Sequence, residues 1–216
     1  MAEDMRNRIL DATERLLARL GYQKTTMDDI AREAGIGKRT IYLHFPSKEE
    51  VALGSIDRIV ERLKERLETL ALSGESPAER LRQMLLTRVL FRFDSVREYH
   101  QSIDELFRSL RPAYMARRDR YFDEEARIFA KVLSDGCETG EFAVEDSLAT
   151  AQALLLATNA MLPSSLSTRE LGERSDVEAK VCKITTLILD GLRRREPART
   201  DRRASTTRRS RIGSRS

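Results

Sequence analysis

Residues 25–50, TTMDDIAREAGIGKRTIYLHFPSKEE, leave the backbone few choices. Thr26 with Asp29 three residues later has capping-box spacing: the hydroxyl oxygen accepts from the helix start, and the acid reaches back to the cap's own N–H. Met27, Ile30, Ala31 and Ala34 then recur on one side of a helix, and Gly35 permits the positive φ that stops it. A short helix over about 38–45 buries Ile41 and Phe45 four residues apart, and Pro46 ends it. Ser47 with Glu50 repeats the capping signature and opens another helix. Only short, closely crossed helices fit between signals this dense.

The same punctuation extends in both directions. Ile9, Leu10, Thr13, Leu16, Leu17 and Leu20 stripe a helix over about 4–20, with Gly21 just past its end. Val51, Leu53, Ile56, Ile59, Val60, Leu63 and Leu67 mark a long helix through about Leu70. Beyond SGESP at 73–77, the spacing predicts helices at about 77–92, 95–110, 112–136, 145–162 and 175–193. Strand signals are nearly absent, so the expected class is all-α: an N-terminal three-helix helix-turn-helix domain plus a larger helical ligand-binding and dimerisation domain. At 216 residues and 40% hydrophobic, the chain is large enough for such a core. No apolar run approaches the roughly 18 residues that span a bilayer. The start MAEDMRNRIL is charged where a secretion signal is apolar, so a cytoplasmic protein with no membrane partner is expected. Cys137 and Cys182 lack metal-ligand spacing and read as free thiols, and neither a metal nor a cofactor is expected.

Ala31, Gly35 and Ile41 have the layout of a helix-turn-helix: a small residue for close crossing, a turn glycine and a β-branched anchor. Lys38 and Arg39 open the third helix and Lys48 the fourth, each beside free N–H groups and the positive end of a helix dipole. Cations there call for an anion opposite. The second helix start, at Thr26, offers a hydroxyl and backbone N–H groups to the same anion, in addition to capping. TTMDDIAREAGIGKRTIYLHFPSKEE resembles the TetR family of transcriptional regulators, closely over residues 4–55 and beyond that only in length, helix order and a GEF turn at 140–142. Physical reading and resemblance then agree that the anion is the phosphate backbone of double-stranded DNA. Thr26 and Lys48 are the candidate phosphate contacts, and Tyr42 and His44 look like the family's own; His44 reads alternatively as a buried, hydrogen-bonded histidine. Lys38, Arg39 and Thr40 are the candidates for reading bases, since Arg grips guanine with two hydrogen bonds and Thr offers a methyl to thymine.

Expected boundaries are 1–46 for the DNA-binding domain, 47–192 for the ligand-binding and dimerisation domain, and 193–216 for a disordered tail. That tail carries ten Arg against Glu196 and Asp201, or +8, which leaves residues 1–192 at −4 within the chain's net +4. It reads equally as sequence-independent attraction to phosphate and as a tolerated extension. SLATAQALLLATNAML, 147–162, is apolar on nearly every face, and Val177, Val181, Ile184, Ile188 and Leu192 form a seam; together they predict a homodimer through the last two helices. A head on a larger body suggests a sensor, and the resemblance implies a small-molecule inducer that releases a palindromic operator. Residues 91–129 hold eight of the twelve aromatics, read mostly as core, with Arg92, His100 and Arg118 open as anion-binding or solvent-facing groups. The pocket residues stay unknown at this stage. Enzyme signatures are missing: no Gly-rich phosphate loop, no nucleophile elbow, no HExxH. The alternatives are an activator of the same architecture, or an architectural protein that binds DNA through the tail.

Overall fold

The computed structural model describes residues 2–97, 103–163, 170 and 172–193. Among these lie eight helices: α1 Ala2–Lys24, α2 Met27–Glu33, α3 Lys38–His44, α4 Lys48–Ala71, α5 Pro77–Arg97, α6 Ile103–Glu138, α7 Ser147–Asn159 and α8 Arg174–Leu192. The all-α expectation holds, and the caps are where the sequence puts them. Thr26 Oγ1 accepts from Asp29 N at 3.2 Å while Asp29 Oδ2 accepts from Thr26 N, the full capping box. Ser47 Oγ accepts from Glu50 N at 3.1 Å. At Gly21 (φ 77°) the backbone leaves helical geometry, but one further turn follows through Lys24 and buries Tyr22.

One break expected from the sequence is absent. The stretch expected as 95–110 and 112–136 is one helix, α6, with Pro112 inside it. Proline removes one backbone donor and crowds the preceding turn, at about 3 kcal/mol. Leu110, Ala113 and Tyr114, packed with Leu17, Tyr22 and Leu53, hold the helix through that point. The seam of α8 also has partners within its own chain. Val177 and Val181 are buried against Val89, Leu90 and Phe93 of α5, with Ile184 partly buried beside them, so much of the seam serves the chain's own core. The large apolar side chain that α8 leaves exposed is Leu187 (66%), and on α7 Leu156 (60%) stands out beside the buried Ala151, Leu154 and Leu155. Helical periodicity reveals an apolar side; it does not say whose surface that side meets.

Helices α1–α3 close around Ile9, Leu16, Ile30, Ala34, Ile41 and Phe45, with Val51 of α4 completing this core. A second core joins α4–α7 through Leu63, Leu67, Leu81, Phe129, Val132 and Leu155. Helix α4 therefore belongs to both. Gly54 lies close against the head, since a methyl there would lie 2.8 Å from Phe45 Cε1. Of the tail, only Arg193 falls within the described residues; the expectation of disorder for 194–216 lies outside them.

Candidate nucleic-acid interface

Helix α3 is seven residues long and held by one side. Ile41 is fully buried and Phe45, its C-cap, nearly so, so the opposite side is fixed outward. Arg39 and Leu43 stand there, and Lys38 and Tyr42 on the flanks are exposed too, with Thr40 half-buried at the edge. Arg39 and Leu43 are four residues apart, and Thr40 and Leu43 three, so the three side chains share one patch. Arg39 makes no ion pair or hydrogen bond with the described residues, and its five donors are available in their fixed fork. Lys38 instead reaches Asp28 at 2.9 Å, a pair exposed on both sides. So exposed a pair is screened by solvent and yields readily to a phosphate or a base.

Leu43 is the residue that sequence reading missed. At 77% exposure it is a large apolar side chain with nothing among the described residues to cover it. In sequence it passes for one more core leucine between Ile41 and Phe45, and only its position on the wheel, opposite Ile41, could have exposed it. His44 is half-buried, between the two alternatives the sequence left open.

Lys48 has already found partial negative charge inside the protein. Its Nζ donates to Tyr22 O at 3.0 Å and lies 4.4 Å from the centre of the Tyr22 ring. Carbonyls at the end of α1 thus face the start of α4, and the ammonium ties the two helices together. Thr26, exposed at the start of α2, spends its hydroxyl on Asp29 Oδ2 at 2.6 Å. That bond, first among the causes, holds the Asp29 carboxyl below its usual pKa.

The head is connected to the body by charge as well as packing. Arg58 of α4 reaches Asp11 and Glu14 of α1, both at 2.6 Å. Arg117 of α6 reaches Glu50 and Asp57 of α4, both at 2.7 Å, and Tyr121 OH also donates to Asp57. Two ion-paired steps thus connect α6 to α1, beside the direct packing of Leu110 on Leu17 and Tyr22. Deeper in the body, Arg88 of α5 is 2% exposed and Glu125 of α6 1%. Arg88 donates to Glu125 Oε2 and Asn159 Oδ1 at 2.7 Å and to Thr158 Oγ1 at 2.8 Å, and Arg92 pairs with the same carboxylate through Oε1. Of the flagged aromatic stretch, Phe93, Tyr121 and Phe129 are core, Arg92 turns inward, Arg118 is half-buried, and His100 and Tyr99 lie outside the described residues.

Comparison with known proteins places this arrangement. Residues 9–53 match the family profile described as "Bacterial regulatory proteins, tetR family", and residues 77–181 match "Tetracyclin repressor-like, C-terminal domain". The HTH-type transcriptional repressor KstR of Rhodococcus jostii is 29% identical over 90% of this chain and 87% of its own length. KstR of Mycolicibacterium smegmatis is 34% identical over 38% of this chain, a match that spans only 40% of that protein. A solved TetR-family regulator from Pectobacterium atrosepticum superposes with a TM-score of 0.72 at 17% identity, over 91% of this chain and 97% of that one, which is a likeness of fold. Two profiles of one family in the expected order, on a helix-turn-helix head joined to a helical body, show that this chain belongs to the TetR family of transcriptional regulators.

Proposed function

We propose that the protein is a ligand-responsive, sequence-specific repressor that binds an inverted-repeat operator as a homodimer and is released by a small-molecule inducer. The observation that carries this reading is the outward patch of α3, where Arg39, Thr40 and Leu43 stand together on a helix locked from behind by Ile41 and Phe45. Residues 1–46 form the DNA-binding head, 47–192 the body, and 193–216 a tail that adds salt-sensitive attraction without sequence preference. Thr26, Tyr42, His44 and Lys48 position the head on phosphates, and Lys38, Arg39, Thr40 and Leu43 read base edges in the major groove. The dimer forms through α7 and α8; exposed Leu148, Leu156 and Leu187 supply apolar surface for a partner copy. Repression is favoured over activation by the name of the R. jostii relative, a transcriptional repressor.

Selection from random duplex DNA, with the full chain and with residues 1–192, tests the reading at near-physiological salt. Enrichment of an inverted repeat by both forms is expected. Binding that needs the tail and selects no motif would overturn it in favour of tail-driven, architectural binding. A reporter behind the selected operator then separates repressor from activator by the sign of its response.

Two substitution experiments follow once an operator is in hand. Arg39→Ala is expected to relax preference at one base pair per half-site, by about 1–3 kcal/mol, whereas Lys48→Ala weakens cognate and scrambled DNA alike. Equal losses on both DNAs for Arg39→Ala would remove Arg39 from the base-reading set. For Leu43 the probe is the thymine methyl: replacing one operator thymine by deoxyuracil should cost the wild type about 0.8 kcal/mol, roughly fourfold in Kd, and cost Leu43→Ala nothing. A Leu43→Ala protein that still senses the missing methyl assigns that contact elsewhere.

A further inference from the structure

The buried Arg88–Glu125–Arg92 group does not balance. Among the described residues two guanidiniums share one carboxylate, an excess of positive charge where Arg88 and Glu125 are almost completely shut off from solvent. Buried charges are normally matched, and an unmatched one is costly. Donors are in excess too. Asn159 is nine-tenths buried, its Oδ1 accepts from Arg88 Nη2 at 2.7 Å, and its Nδ2 is buried without an acceptor among the described residues. The amide orientation is not arbitrary: the guanidinium only donates, so the atom it meets must be the oxygen, and the NH2 must face the other way. The group is closed at Arg88 and opens at Arg92, whose side chain retains 15% of its exposure. Around it Leu85, Phe129, Leu154 and Leu155 are buried and apolar.

We infer that this group is the ligand-recognition site of the body, and that its ligand carries an oxyanion, a carboxylate or a phosphate ester, on an apolar frame. The oxyanion pairs with Arg92 and accepts from Asn159 Nδ2, leaving Glu125 to Arg88 alone. Two cations then face two anions, and the excess donors acquire an acceptor. The apolar frame lies against the surrounding leucines and phenylalanine. The inference rests on the ligand-responsive reading above and gives its ligand a chemical class. It also joins the ligand to the head, since Glu125 and Arg117 are carried by the same helix, α6.

The experiment uses the full chain with dodecanoate, octanoate, 4-phenylbutyrate and dodecyl phosphate as anionic probes, and dodecanol and octanol as uncharged matches. Thermal midpoint and release from the selected operator are read in parallel. A saturable rise in midpoint is expected with at least one anionic probe and not with its alcohol. Arg92→Met should weaken that response about tenfold or more. This variant keeps the neutral Arg88–Glu125 pair and should fold, and Asn159→Leu supplies an independent second loss. Response to phosphate ester but not carboxylate, or the reverse, fixes which oxyanion the site takes. Equal shifts with acids and alcohols, no anionic probe that binds, or binding indifferent to Arg92→Met and Asn159→Leu would each overturn the assignment. An anionic probe that binds through Arg92 without releasing the operator upholds the site and instead defeats the inducer reading; release by an uncharged compound in the Arg92→Met protein does the opposite.

Discussion

Glu125→Gln is expected to lower the thermal midpoint by about 10 °C. The substitution is nearly isosteric, so the loss is electrostatic. It leaves Arg88 fully buried and facing Arg92 with no anion between them. Removing one partner of a buried ion pair costs about 3–5 kcal/mol, and a chain of this size loses about 2–4 °C per kcal/mol. The triple variant Arg88→Met/Arg92→Met/Glu125→Leu should recover part of the midpoint, because it leaves no charge of the group unpaired. If Glu125→Gln melts within about 2 °C of the wild type, the group is better solvated than its burial implies. The pH dependence has a defined sign. Burial works to raise the Glu125 carboxyl, but the two guanidiniums outweigh it and hold its pKa below the usual carboxylate range. A depressed folded pKa gives stability that is complete above the unfolded value, about 4.3, and drains away as pH falls through the folded one. Arg88 contributes nothing to that acid limb: burial pulls its pKa down to about 10, so it stays charged through neutral pH.

Gly136→Ala is expected to cost about 3 kcal/mol, the upper end of the usual range for overpacking. A methyl group at Gly136 would lie 2.1 Å from Phe142 Cδ2 and 2.6 Å from its Cε2. The ring cannot simply turn away, since Phe142 is 2% exposed and packed among the residues of the body core. Nor can the backbone ease outward, because Phe142 N donates to Gly136 O at 2.9 Å and the next residue, Ala143, donates to Leu192 O at 3.0 Å. The turn after α6 thus sits on the bare backbone of Gly136 and clamps the last residue of α8. Displacing it should loosen α8, so faster amide exchange at the end of that helix is expected along with the lower midpoint. Gly136→Ala/Phe142→Leu should regain part of the loss by making room. Unchanged stability of the single variant would show that the ring has another place to go.

How far these features were legible in the sequence varies with the range of the interaction. The capping box at Thr26–Asp29, the cap at Ser47 and the turn at Gly35 are set within a few residues, and each is found as the local pattern requires. The side of α3 that faces out follows from Ile41 and Phe45 by helical geometry alone, but an exposed Leu43 carries no mark in the letters that separates it from a core leucine. Pro112 shows the limit of a local rule: the sequence marks a break, and packing one turn to either side carries the helix through it. Lys48 shows another, since the partial negative charge it meets comes from carbonyls 26 residues earlier in the chain.

The sequence by itself determined the class, the order of the helices, the position of the DNA-binding head and most of its exposed face, because caps, turns and periodicity act over one or two helical turns. Only the tertiary structure decided which arginines of α5 are buried. Arg82 and Arg88 are indistinguishable as letters on one helix, but Arg82 is left at the surface while Arg88 meets Glu125, Thr158 and Asn159 from two other helices. It likewise decided that the seam of α8 belongs largely to its own core and that Gly136 is a seat for Phe142. Each depends on contacts between segments distant in sequence, and the energy of a buried charge or a close approach exists only once those segments have met.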